Sequence, residues 1–214
     1  MGILEEISLL LQNGKAKQVK ELVSQALDEG VSAEEILQKG LLAGMDIIGE
    51  KFSKNEVYVP EVLVAARAMN WGAEVLKPHL ADSGFKSKGR ACVGTVKGDL
   101  HDIGKNLVKM MLEGKGFEVI DLGVDVPAEA FISAAAEHNC QIIACSALLT
   151  TTMGAMKEVV DAAKRSGIRD KVKILVGGAP INKEFCESIG ADIYTSDAAS
   201  AANEAVEALT SLVS

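Results

Sequence analysis

The sequence predicts an α/β protein in two parts: a small antiparallel four-helix bundle, then a five-stranded, doubly wound parallel sheet. Two observations carry this. Residues 1 to 80 repeat apolar side chains at helical spacing only. From Arg90 onward, five short apolar runs alternate with helical stretches, the grammar of parallel strands joined by right-handed crossovers.

Taken in order, Leu4, Ile7 and Leu11 share one helical face, and Gly14 follows as a stop. Val19, Leu22, Val23, Ala26 and Leu27 repeat the three-four spacing and end at Gly30. Ser32 and Glu35 read as a capping box opening a third helix with Ile36, Leu37, Leu41, Met45, Ile48 and Phe52. Pro60 suits the first turn of a fourth helix, where its missing N–H costs nothing; that helix carries Leu63, Ala66, Met69, Ala73 and Leu76. Short connections between four amphipathic helices make residues 1–80 a bundle. Residues 81–89, ADSGFKSKG, are small and polar and read as a linker to a second domain at 90–214. There the strand runs are ACVGTV, FEVIDL, IIACSA, KILVG and ADIYT. Helices are expected at 103–115, 127–138, 153–166, 181–188 and 197–212. The runs do not alternate with polar residues, as suits a sheet covered on both faces. Such sheets bind ligands outside the carboxyl ends of their strands, near the topological switch. The loops after strands one, three and four are therefore the places to look.

Composition removes several function classes. A chain of 214 residues with 48% hydrophobic content builds a core without staples. Its net charge of -8 disfavours nucleic acid and anionic membrane surfaces, and Lys86, Lys88 and Arg90 are too sparse to track a phosphate backbone. No apolar run approaches the length of a membrane helix, and the N-terminus carries acid where a signal peptide wants base. The four cysteines form no C-x-x-C pair, and Cys92 and Cys145 sit in strand-like runs as small hydrophobes. That usage fits a reducing cytoplasm.

The first strand runs into KGDLHDIGKN, where Asp99, His101 and Gly104 form D-x-H-x-x-G. A loop histidine can project from the sheet edge as a metal ligand, and a nearby carboxylate can fix its tautomer and strengthen it as a donor. Gly104 lets the backbone approach something bulky. One protein ligand argues against zinc and suits a metal whose other positions are filled by a macrocycle. By itself the loop is more often a surface or capping element. After strand three, CSALLTTTMG holds Ser146, Thr150, Thr151 and Thr152, more hydroxyls than one helix cap uses. After strand four, Gly177 and Gly178 either admit a flat ligand or make a tight strand–helix turn.

These residues resemble a known family. D-L-H-D-I-G at 99–104, S-A-L at 146–148 and G-G at 177–178 are similar to the three-part signature of cobalamin-binding domains, whose fold is flavodoxin-like or Rossmann-like. Met45, Gly49, Phe52, Tyr58, Val59, Pro60 and Glu61 resemble the helical cap beside that domain in methionine synthase and in the corrinoid proteins of methanol and methylamine methyltransferase systems.

The resemblance implies a cobalamin cofactor, cycling between methylcobalamin and cob(I)alamin, with His101 as lower axial ligand to cobalt. Asp99 would bond the far nitrogen of His101, and Thr152 stands where methionine synthase continues the relay with serine. Asp102 and Ile103 complete the motif between His101 and Gly104. Ser146, Leu148 and Thr150 would contact the cofactor and its nucleotide tail, and Gly177 and Gly178 would line the tail's channel. Phe52 and Val59 would shield the methyl-bearing face; Val59 is smaller than the usual occupant, which implies a looser cap. The implied role is a corrinoid carrier, itself without catalytic residues. It takes a methyl group from a substrate-specific methyltransferase subunit and passes it, through an acceptor-specific one, to a folate or thiol. A reductive activase is a further implied partner. The need for access to the methyl-bearing face adds the expectation that the bundle moves aside on a hinge at 81–89. The alternatives are the cobalamin-binding subunit of a mutase, which pairs the loop with a barrel, and a cobalamin-responsive regulator. The regulator needs a DNA-binding part, yet residues 1–80 hold 12 acids against 8 bases. A receiver or flavodoxin module without corrin is disfavoured by the lack of a lysine after strand five and of aromatics in the three loops.

Overall fold

The computed structural model describes residues 2–83 and 86–212. The chain divides into two compact units, Met1–Lys86 and Ser87–Ser214.

The first unit is helical. α1 (Ile3–Gln12) ends at Gly14, whose φ of +66° is the left-handed turn that stops it. α2 (Ala16–Asp28) ends before Gly30, φ +85°. The third predicted helix is one continuous run in three pieces: α3 (Ala33–Glu35), a π-helical stretch at Ile36–Leu42, and α4 (Ala43–Ser53). The π turn was not foreseen, because a single widened turn leaves the apolar spacing on either side intact. The capping box is half formed. Ser32 Oγ accepts from the Glu35 amide at 3.2 Å, but the Glu35 carboxylate turns outward to Lys39 at 2.7 Å. α5 (Val59–Ser83) begins with Pro60 in its first turn, and the Glu61 carboxylate accepts from the Tyr58 amide at 3.1 Å. Ile7, Leu11, Val19, Val23, Ile36, Leu41, Ile48, Val62 and Leu76 fill the core. The expected linker at 81–89 is shorter than its composition suggested. α5 carries the helix through Ser83, since Ala81 supplies no break. Residues 84 and 85 lie outside the described residues.

The second unit is a parallel sheet of order β2-β1-β3-β4-β5. Its strands are β1 (Gly89–Val96), β2 (Phe117–Val126), β3 (Ile142–Ser146), β4 (Lys173–Gly177) and β5 (Ile193–Tyr194). The helices between them are α6 (Ile103–Gly114), α7 (Ala128–Glu137), α8 (Met153–Arg165) and α9 (Lys183–Ile189), with α10 (Ala198–Leu212) last. α6 packs with α10, and α7 with α8, so both faces are covered. Cys92, Ile143, Cys145, Ile174 and Val176 join Phe131, Met156 and Val160 in one buried cluster. All four cysteines are free and buried. β5 is shorter than ADIYT suggested: the Asp192 amide still donates to the Ile174 carbonyl at 2.9 Å, but the Ile174 amide donates to the Asp192 carboxylate at 2.7 Å and not to a backbone carbonyl. β2 runs four residues beyond FEVIDL and pairs irregularly with β1, with register shifts after Val93 and after Gly94. No helix among the described residues is long and apolar enough to cross a membrane.

Candidate functional site

In the order 2-1-3-4-5 the chain reverses its direction of progress between β1 and β3, so the loops leaving these strands flank the crevice where doubly wound sheets bind ligands. The loop after β1 turns at Gly98, φ +85°, and closes with the Asp99 amide donating to the Val96 carbonyl at 3.1 Å. This turn drives Asp99 inward, where it is 0% exposed.

The Asp99 carboxylate is fully engaged. Oδ1 accepts from the His101 amide at 3.1 Å and faces His101 Nδ1 at 2.8 Å. Oδ2 accepts from the amides of Leu148 and Leu149, at 2.8 and 3.2 Å, and from Thr152 Oγ1 at 2.8 Å. Burial pushes the Asp99 carboxyl upward, but the hydrogen bonds from His101, Leu148 and Thr152 outweigh it and hold the group far below the usual carboxylate range. The consequence for His101 is chemical. An ionised carboxylate only accepts, so Nδ1 carries a proton and, in the neutral ring, Nε2 keeps the lone pair. The His101 side chain is 51% exposed, and its carbonyl is held by Thr95 Oγ1 at 2.8 Å. The structure thus presents an oriented imidazole with a free nitrogen, fixed from behind by a buried anion.

The other expected residues divide. Thr152 precedes α8, but its hydroxyl is shared between the Asp99 carboxylate at 2.8 Å and the Leu149 carbonyl at 2.9 Å and does not cap that helix. Ser146 pairs with Thr95 on one side and Gly177 on the other, placing all three in one row at the strand ends. A Cβ on Gly104 would lie 3.9 Å from Ser146 Oγ, and one on Gly177 would meet nothing within 4 Å. Gly104, Ser146 and Gly177 therefore border open space, a cradle that side chains would narrow. Gly178 differs: at φ +132°, a Cβ would come within 1.9 Å of the Ala147 carbonyl, so it is required by the β3–β4 loop contact itself. Asp102 caps nothing with its side chain and accepts from Asn106 Nδ2 at 3.2 Å. Thr150 is exposed and joins none of these contacts. Phe52 and Val59 lie in the helical unit, both half-buried.

These features fit a flat macrocycle with a central metal. Leu100 and Ile103 are 72% and 71% exposed, and Leu148 and Leu149 are exposed on the facing loop, so apolar surface surrounds the His101 imidazole. Among the described residues no group of three or more His, Cys, Asp or Glu could hold a metal. A metal bound through His101 would need its other ligands from its own cofactor.

Comparison with known proteins decides the family. A family profile described as B12 binding domain matches residues 89–206, and a second of the same description matches 3–77. The chain belongs to the B12-binding family. This corrinoid protein is 46% identical over 176 residues to trimethylamine corrinoid protein 1 of Methanosarcina acetivorans, covering 81% of this chain and 82% of that one. It is 41% identical over 208 residues to dimethylamine corrinoid protein 3 of the same organism, covering 97% of each. Among solved structures it is similar to the methanol:cobalamin methyltransferase complex MtaBC of Methanosarcina barkeri, with a TM-score of 0.87 and 31% identity over 97% of this chain and 80% of that one. A cobalamin-binding protein of Desulfitobacterium hafniense gives 0.79 and 30% identity, over 96% and 98%. The cofactor of this corrinoid protein is cobalamin, with cobalt at its centre, and its work is to carry methyl groups in a methyltransferase system.

Sequence reasoning missed Thr95, Leu149 and Asp125. Thr95 lay hidden inside an apolar strand, and Leu149 acts through its amide, which no side-chain pattern reveals. Asp125 bonds the Gly98 amide at 2.7 Å from an unpredicted extension of β2. Lys105, in the first turn of α6, was not singled out either, yet it is 3% exposed and paired with Asp121.

Proposed function

We propose that His101 would hold the corrinoid cobalt through Nε2, and that the chain shuttles methyl groups between a substrate-specific and an acceptor-specific methyltransferase subunit. The observation that carries the reading is the 2.8 Å contact between His101 Nδ1 and a fully buried, ionised Asp99. It leaves Nε2 free and makes it a stronger donor. When bound, the corrinoid supplies the centre that accepts and releases the methyl group. The chain's residues do the rest. His101 would offer Nε2 to the metal, Asp99 and Thr152 set its tautomer, and Ser146, Gly104 and Gly177 would leave room for the nucleotide tail.

The similarity to trimethylamine and dimethylamine corrinoid proteins over 81% and 97% of the chain supports a carrier over a mutase subunit or a DNA-binding regulator. Phe52 and Val59 are carried forward from the resemblance as shielding residues. Phe52→Ala should hasten loss of the methyl group to solvent in the loaded protein, and an unchanged rate removes that role. A reducing cytoplasm is the proposed compartment, on the four free thiols. A reductive activase is a proposed partner.

The test of the reading is reconstitution with hydroxocobalamin, reduction to the cobalt(II) state, and electron paramagnetic resonance with 15N-labelled histidine. The expected result is coupling to one histidine nitrogen, lost in His101→Ala. Binding without that coupling in the unaltered protein refutes the assignment. Methyl transfer from trimethylamine, dimethylamine or methanol with the matching methyltransferase subunits then identifies the donor.

A further inference from the structure

We propose that the irregular end of β2, Asp121 to Asp125, is the positioning element of the histidine loop and grips it on both flanks. The inference rests on the axial role of His101 and deepens it.

The loop needs such a grip. Leu100 and Ile103 are largely exposed, so apolar burial contributes little to holding it. Ahead of His101, Asp125 Oδ1 accepts from the Gly98 amide at 2.7 Å and the Asp125 amide donates to the Asp99 carbonyl at 3.0 Å. One residue thereby fixes a peptide group on each side of Asp99, the one entering Gly98 and the one leaving Asp99. It does so from a backbone φ of +54°, a conformation that Asp tolerates better than most residues but that is uncommon without a reason. The reason lies in the register. β2 shifts twice against β1, pairing Gly123 with Gly94 and Val126 with Val96, and Asp125 has no partner on β1. A bulge frees a residue from the ladder and re-aims it, here toward the loop.

Behind His101, Lys105 Nζ is buried and donates to Asp121 Oδ1 at 2.5 Å and to Asn106 Oδ1 at 2.8 Å. Asn106 in turn donates from Nδ2 to the Asp102 carboxylate at 3.2 Å and from its amide to the Asp102 carbonyl at 2.8 Å. Asp121 is itself braced by the Gly123 amide at 3.0 Å and by Lys109 at 3.3 Å. A buried ammonium is stable only when paired, so the first turn of α6 is tied to β2 four residues beyond the histidine. Asp121 and Asp125 thus hold the two ends of one short loop from one strand end.

The experiment uses the full chain with Asp125→Ala and Lys105→Met, and with Asp125→Asn and Lys105→Arg as conservative counterparts. Amide hydrogen exchange of residues 98–102 is read without corrinoid, and 15N-histidine coupling to cobalt(II) after loading with hydroxocobalamin. Loss of either grip should speed loop exchange about threefold to tenfold, the worth of one hydrogen bond, while β3 and β4 amides stay unchanged. The fraction of protein with axial nitrogen coupling should fall with it. Asp125→Asn, which keeps an acceptor and tolerates positive φ, should restore both. If Lys105→Met does not fold, Asp125→Ala, at an exposed position, decides alone. Loop exchange and coupling unchanged in folded Asp125→Ala overturn the proposal. Should the unaltered protein lack nitrogen coupling, the axial reading falls, and the exchange measurement still decides whether β2 grips the loop.

Discussion

Replacing Asp99 by Asn changes one atom and should reverse the tautomer of His101. The carboxylate now faces five donors: the His101 amide, Nδ1–H, two leucine amides and the Thr152 hydroxyl. Asn can present its oxygen to only one side. The three donors on Oδ2 outnumber the two on Oδ1, so the oxygen should stay with Leu148, Leu149 and Thr152. The amide NH2 then faces His101, and the ring must turn Nδ1 into an acceptor and carry its proton on Nε2. Two charge-assisted bonds at a buried anion are lost, each worth about 1.5 kcal/mol or more, for a total of about 3 kcal/mol. For a unit of this size the melting temperature should fall by roughly 10 °C. Urea unfolding without cofactor measures the first quantity, and 15N-detected imidazole spectra measure the second. An Asp99→Asn variant that keeps its imidazole proton on Nδ1 and loses less than about 1 kcal/mol would refute the reasoning. The pH dependence has a fixed sign. Because the native Asp99 carboxyl lies below its unfolded value, its contribution is complete above about pH 4 and is lost as pH falls toward the native value. The Asp99→Asn variant should lack that part of the acid slope.

Thr152→Val removes one of three donors to Oδ2 and should cost about 1.5 kcal/mol in unfolding experiments, whereas Thr152→Ser should be close to neutral. Gly178→Ala forces a Cβ into the Ala147 carbonyl and should destabilise the chain by about 3 kcal/mol. Gly177→Ala meets nothing and should leave the cofactor-free protein within about 0.5 kcal/mol of the original. Equilibrium dialysis with hydroxocobalamin should nonetheless show weaker binding in Gly177→Ala, because the new methyl enters the proposed tail channel. The four buried thiols should resist maleimide in the native protein and react together on unfolding, which mass spectrometry reads directly.

The order of elements was legible because apolar periodicity follows from which faces must be covered. Strands buried on both faces, such as ACVGTV and KILVG, announce themselves, and Gly14 and Gly30 mark helix ends by backbone chemistry. Reading failed where a side chain replaced the backbone's own pairing. Asp192 shortens β5 in this way, and Asp125 works from a bulge that no local pattern encodes. The π turn at Ile36–Leu42 was invisible for a related reason: it alters one turn and leaves the buried stripe in place.

Sequence alone determined the α/β class, the helical first part, and the grouping of Asp99, His101, Ser146 and Gly177 at the carboxyl ends of the strands, since these follow from local spacing and from one family resemblance. Tertiary structure decided what each residue does. It buried Asp99 under donors from a loop some fifty residues away, it gave Thr152 to that carboxylate instead of a helix cap, and it assigned Gly178 to a backbone contact and Gly177 to open space. Hydrogen bonds between distant segments depend on register and crossover geometry, and neither is written in any window of sequence.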